Sequence, residues 1–248
     1  MQETVARPRT RLKVGWARHG DEVRAAQRLR FDVFAGEFGA SLRTPLPDHD
    51  VDRYDDYCEH LLVRDEASGE VLGTYRALTP AQARRAGSSY ADSEFDLAPL
   101  AQLRPRMLEL GRSCVHPQHR QGAVILALWG ELARFMAAHE LDTMIGCASI
   151  ALAPGSLEAA GVWNRLRRTH LAAQPLRIAP RRPLPLPPDA QLAQLDAEPP
   201  PLIQGYLRLG ARVLGPPAWD QQFNSADLPL LVRLEDLPAR YRRGASLV

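Results

Sequence analysis

Glu109 is the residue from which chemistry can be argued first. It stands between Leu108 and Leu110 in Met107–Val115, a short apolar run with a β-branched end that reads as a strand. A carboxylate in an apolar strand is costly unless it is paired or put to use. Its use would be to take a proton as a general base; its structural alternative is an ion pair with Arg112 or Arg76. Strict alternation sets Glu109 and Arg112 on opposite faces. A bulge at Gly111 would return them to one face and splay the strand from its neighbour, opening a slot. Next, His116–Gly122 holds a proline and a glycine and reads as a turn. From Ala123, the residues Val124, Ile125, Leu128, Trp129, Leu132, Phe135 and Met136 recur at the period of one helix face. The free N–H groups of that helix start, behind a basic turn, make an anion site lined by Arg120, Gly122 and Ala123.

A second cluster precedes it. Thr44–Tyr57 carries Asp48, Asp50, Asp52, Asp55 and Asp56. A calcium loop of the EF-hand type is excluded, because Arg53 stands where the required glycine belongs and the closing glutamate is missing. The alternatives are a solvated acidic loop and a wall for a cationic amine. Arg76 lies on the face of the strand Val71–Leu78 shared with Thr74 and Leu78, and the acidic loop could supply its partner.

The elements that must position these groups follow from pattern. Lys13–Ala17 reads as a first strand, and a helix follows from an Asp21 cap and weakens at Gly36 and Gly39. Glu59–Arg64 and Val71–Leu78 form a hairpin around Asp65–Glu70. Pro80–Gln102 is helix and loop. After the central unit come a strand at Thr143–Ile150, a helix at Leu157–His170, a helix at Leu202–Leu209, a strand at Leu228–Arg233 and a helical turn at Leu237–Tyr241. The order predicts an α/β (α+β) fold with a mixed sheet. One domain is expected over 13–248, with 1–12 a flexible N-terminus. Pro175–Pro201 holds nine of the 21 prolines, with Arg177, Arg181 and Arg182, and reads as a surface insertion.

Composition bounds the function. With 45% hydrophobic and 24% charged residues, the 248-residue chain is an ordinary globular one. A net charge of +2 gives no nucleic-acid signature. Cys58, Cys114 and Cys147 have no metal spacing and suggest a reduced, cytoplasmic protein. No apolar run approaches the roughly 18 residues of a membrane span, so membrane contact would be peripheral. There is no P-loop, dinucleotide fingerprint or zinc motif, and Ser113 lacks the Gly-x-Ser-x-Gly elbow of hydrolases.

The Arg-Gly turn after a strand resembles the acyl-donor loop of the GNAT acyltransferases. Arg30-x-x-x-Phe34, Asp52-x-x-Asp55, Gly73-x-x-Arg76 and Glu109-x-x-Arg112 resemble segments of the acyl-homoserine-lactone synthases. The closer resemblance is to the ornithine N-acyltransferases. It is carried by Val33-Phe34-x-x-Glu37-Phe38-Gly39-Ala40, Gly73-Thr74-Tyr75-Arg76, Leu108 to Pro117, Ile145-Gly146-Cys147-Ala148-Ser149, Pro201 to Ala211 and Pro217-Ala218-Trp219-Asp220.

That resemblance implies a GNAT-like, mostly antiparallel sheet flanked by helices. It implies an acyltransferase that moves a 3-hydroxyacyl chain from acyl carrier protein to the α-amino group of ornithine, giving lyso-ornithine lipid. Glu109 would be the base. Arg112, Ser113, Arg120, Gly122 and Ala123 would bind the donor, and Asp52, Asp55, Arg76, Arg30 and Phe34 the amino acid. No cofactor or metal is expected beyond the thioester co-substrate. An acidic carrier protein calls for a basic docking surface, for which Arg84, Arg85, Arg165, Arg167, Arg168, Arg181 and Arg182 are candidates. The expected place of work is the cytoplasm, with peripheral contact at the inner membrane. Glycine, lysine and glutamine stay open as acceptors. The rival readings are a homoserine-lactone-synthase-like or other amino-acid N-acyltransferase, and a non-enzymatic haemolysin-like protein.

Overall fold

Alternating apolar positions build the sheet on which everything else rests. The computed structural model of the chain describes residues 11–237, so the expectations for residues 1–10 and for the turn beyond Leu237 lie outside the described residues. Its strands are β1 (Leu12–Trp16), β2 (Glu59–Asp65), β3 (Val71–Leu78), β4 (Phe95–Asp96), β5 (Met107–Val115), β6 (Thr143–Ala151), β7 (Ala179–Pro180), β8 (Arg212–Val213), β9 (Ala218–Asp220) and β10 (Ser225–Arg233). Its helices are α1 (Gly20–Phe31), α2 (Pro80–Ala86), α3 (Tyr90–Glu94), α4 (Ala123–Ala138), α5 (Glu158–Thr169), α6 (Asp189–Leu192) and α7 (Pro201–Arg208).

The main sheet runs β1-β2-β3-β5-β6-β10-β8, with β9 also on β10. Every pairing is antiparallel except β5 with β6. The expectation of a mixed, mostly antiparallel sheet flanked by helices therefore holds. The one parallel pair is also the place where the sheet opens. It runs only from Met107–Thr143 to Leu110–Gly146, after which the two strands part.

The apolar stripe of α4 covers one face of the sheet. Val124, Leu128, Leu132, Phe135 and Met136 pack on Leu61, Val63, Leu72, Tyr75, Ala77 and Leu108. Each such side chain stabilises by roughly 1.5–3 kcal/mol when fully buried. On the same face, α5 sets Val162, Trp163 and Leu166 on Ala148, Ile150, Leu228 and Leu230. Tyr206 of α7 touches both clusters and so lies over the break. The opposite face carries α1, whose Ala26, Leu29 and Val33 meet Leu62, Val71 and Cys114. It also carries α3 and the acidic loop.

Two expectations are corrected. The helix α1 begins after His19 rather than at an Asp21 cap, and it continues as a π-helical turn, Asp32–Glu37. The last strand starts at Ser225, because Ser225–Asp227 pair with β6 on one side and β9 on the other. The proline-rich stretch lies mostly at the surface but is tied down. It pairs β7 with β4 and drives Ile178 and Leu192 into the core, which anchors it along the sheet.

Candidate active site

The bulge is present, one residue later than expected. Thr74 faces Cys114 and Arg76 faces Gly111, so Tyr75 alone opposes Arg112 and Ser113. Arg112 takes the left-handed conformation, with φ of 50°, a strained state for a side-chain-bearing residue. The extra residue returns Arg112 to the face of Glu109, and Ser113 turns to the α4 face beside the hydroxyls of Tyr75 and Tyr206. Beyond Leu110, the edge of β5 that would have bonded β6 has no strand partner among the described residues, so the backbone groups on that edge border the slot.

Among the described residues Glu109 has no ion-pair partner. Its two oxygens accept the N–H groups of Tyr90, at 2.9 Å, and Ala91, at 2.8 Å, at the start of α3. Burial pushes its carboxyl above the ordinary value, and these two bonds and nearby Arg76 pull only partly back. Cys58, near the same carboxylate, is pushed up to about 12 by burial and is an inert thiol.

The acidic loop is not solvated. Three arginines on three different elements hold it against the sheet. Arg30 of α1 binds Asp50 at 2.8 Å and Asp55 at 2.9 Å. Arg76 of β3 binds Asp52 at 2.6 Å and Asp55 at 3.3 Å. Arg112 of the bulge binds Asp50 and Asp52, each at 2.9 Å. Burial would raise the Asp52 carboxyl, but Arg76 and Arg112 outweigh it and hold it far below the carboxylate range. Formal charge in the network is balanced, three against three. Arg30 is fully buried and braces the aspartates from beneath, so the expected contact of Arg30 with substrate is corrected. Arg76 and Arg112 differ. Nε and Nη2 of Arg76 and Nη1 of Arg112 have no hydrogen-bond partner among the described residues. Phe34 meets Phe223 edge to face, and Phe223 in turn lies under the Arg112 guanidinium.

At the start of α4, Gly122 adopts φ of 95°, a conformation that costs glycine little. Among the described residues no side chain caps the helix, which leaves its first N–H groups, from Ala123 on, without a capping partner. Arg120 is fixed beside them by a two-pronged bond to Glu37, 2.6 Å for each contact, and it also donates to the Val115 carbonyl. Of the basic docking candidates, Arg165 and Arg168 are engaged with Asp196 and Glu198, and Arg167 bonds Asn164. Arg84, Arg85, Arg181 and Arg182 are exposed, with Arg181 tied through Nε to the Asp92 carbonyl at 2.7 Å.

Sequence reasoning missed the far lip of the slot. Tyr90 donates its hydroxyl to Asp220 at 2.6 Å, and Asp227 accepts from Ser225 at 2.8 Å. Both aspartates are buried, and among the described residues neither has a cationic partner within salt-bridge distance. Burial, with Asp220 nearby, raises Asp227 to about 6, and burial beside both raises Glu94 to about 7. The signal was available, since Asp227 interrupts the apolar run Ala226–Val232 as Glu109 interrupts its own.

Residues 29–130 match the acetyltransferase (GNAT) domain family. The chain is 39% identical over 241 residues to the L-ornithine N(alpha)-acyltransferase of Rhodobacter capsulatus, covering 91% of each chain. It is 35% identical to the L-ornithine N(alpha)-acyltransferase of Brucella abortus, covering 93% of this chain and 87% of that relative. Among solved structures, the AHL synthase LasI superposes with a TM-score of 0.52 at 13% identity, covering 96% of this chain and 95% of that one. FeeM, an N-acyl amino acid synthase from uncultured soil microbes, gives 0.52 at 12% identity, covering 92% and 94%. At such identities the likeness is one of fold.

Proposed function

Because the chain belongs to the L-ornithine N(alpha)-acyltransferase family, we propose that it acylates the α-amino group of L-ornithine at the break between β5 and β6, with acyl carrier protein as donor. The observation that carries this reading is the bulge at Arg112–Ser113, which puts Glu109 and the free guanidinium nitrogens on one face beside an open strand edge.

The amine must lose a proton before it can attack, and Glu109 takes it, directly or through a water molecule. Its raised pKa suits it to that exchange. The new C–N bond forms at the thioester carbon, and the carbonyl oxygen becomes an oxyanion. Backbone N–H groups on the open edge of β5 around Gly111–Ser113 are the donors for it. Collapse breaks the C–S bond; the departing thiolate takes the proton that the nitrogen sheds on becoming an amide, and Glu109 returns the first proton to water. The acceptor carboxylate is met by the unpartnered nitrogens of Arg76 and Arg112, which Asp52 and Asp55 hold in place. The phosphate of the donor arm sits at Gly122 and Ala123, beside Arg120.

The donor is a 3-hydroxyacyl carrier protein thioester, and the product is lyso-ornithine lipid. The acidic carrier docks on exposed Arg84, Arg85, Arg181 and Arg182. Because the product is an amphiphile, peripheral contact with the inner membrane belongs to the same proposal.

The test is to incubate the purified protein with 3-hydroxyacyl carrier protein, the unsubstituted acyl carrier protein and acyl-CoA, each with L-ornithine, and to read products by mass spectrometry. Lyso-ornithine lipid from the first is expected. Failure of all three donors to acylate ornithine would refute the reading.

A further inference from the structure

The acidic loop cannot be the receptor for a cationic side chain, since Asp50, Asp52 and Asp55 are already answered by Arg30, Arg76 and Arg112. The uncompensated negative charge lies across the slot. Asp220 of β9 is 7% exposed and Asp227 of β10 is 2% exposed, and among the described residues no guanidinium or ammonium lies within salt-bridge distance of either carboxylate. Their hydrogen-bond partners are neutral: the Tyr90 hydroxyl, two backbone N–H groups and the Ser149 and Ser225 hydroxyls, with the Arg112 charge acting on Asp227 only from beyond salt-bridge distance. Buried carboxylates without a counter-charge are expensive.

A second observation comes from the opposite lip. Arg76 and Arg112 have side chains only 4% and 8% exposed, yet they leave guanidinium nitrogens unpartnered on this same face. Such donors call for an anionic group of a ligand, as the two aspartates call for a cationic one. The slot therefore has an anion-binding lip and a cation-binding lip, with Glu109 and Tyr90 between them.

Resting on the acylation reading above, we infer that Asp227, with Asp220, receives the side-chain ammonium of the acceptor and so selects a diamino acid over a neutral one. Tyr90 positions that pair. Its backbone N–H holds Glu109 while its hydroxyl holds Asp220, so the two ends of the acceptor are tied through one residue.

The experiment compares L-ornithine with L-norvaline, which has the same carbon skeleton but no side-chain amine. The wild-type chain, Asp227→Asn and Asp220→Asn are assayed with one acyl carrier protein thioester. Wild type should favour ornithine strongly. In the variants the ornithine-to-norvaline ratio of kcat/KM should fall roughly 10- to 100-fold, through the ornithine KM, with the donor KM unchanged. Equal use of both amino acids by wild type, or an unchanged ratio in folded variants, would overturn the inference. Should Asp227→Asn fail to fold, Asp220→Asn and the wild-type preference decide. A wild-type chain that acylates neither amino acid would overturn the acylation reading itself, and the inference with it.

Discussion

Glu109 accepts the backbone N–H of Tyr90 at 2.9 Å, and this one bond ties the strand that opens the sheet to the helix that lies over the opening. The carboxylate is therefore oriented before any substrate arrives. Its protonation follows from the same setting. Burial raises its pKa above 4.5. A base works only when ionised, so kcat/KM should fall as pH drops through a value above 4.5. That acid limb should be missing from the residual activity of Glu109→Gln. A limb that persists unchanged in the variant would assign it to another group.

Arg30 makes its contacts wholly inside the protein. Arg30→Met leaves Asp50 and Asp55 short of a counter-charge in a dry site. The expected loss is about 3–5 kcal/mol of stability, read from urea denaturation. A loss below about 1 kcal/mol would mean that the loop is held without it.

Asp52 has a folded-state pKa below its unfolded value of 3.8. Its ionised form thus stabilises the fold above 3.8, and that contribution is lost as pH falls towards the folded value. Asp52→Asn should be less stable than wild type at neutral pH, and the two should converge in acid. Equal pH profiles would remove Asp52 from the network.

Gly146 stands opposite Leu110 on the last rung before the strands part. A Cβ there would lie 2.9 Å from the Leu110 carbonyl oxygen, a backbone atom with little room to yield. Gly146→Ala should destabilise by about 1–3 kcal/mol and should raise the donor KM more than the acceptor KM. Equal shifts in both would place the donor elsewhere.

The local units were legible because local rules govern them. Met107–Met136 reads as strand, turn and helix from apolar spacing alone, and the hairpin of β2 and β3 reads from its turn. The need for a bulge was also legible, as the only way to bring Glu109 and Arg112 to one face. Its position at Arg112 was not, because glycine is the residue that pattern favours there. The Arg–Asp network was half legible. Sequence offered Asp52, Asp55 and Arg76 as neighbours, but that Arg30 and Arg112 complete the pairing depends on α1 and β5 flanking one loop. Asp220 and Asp227 were missed for the same reason. They sit on separate strands and share one side of the slot only once β9 folds back on β10. The anchoring of 175–201 escaped notice because prolines hide the few apolar residues, Ile178 and Leu192, that tie it down.

The central claim, that the amine is deprotonated at Glu109 in the opening of the sheet, is tested most directly by the turnover of Glu109→Gln with acyl carrier protein thioester and L-ornithine. Glutamine keeps the size and one acceptor oxygen for α3 but cannot take a proton. The account predicts a fall in kcat of about 10²- to 10⁴-fold with both KM values within a few-fold of wild type. A kcat within twofold of wild type would contradict it.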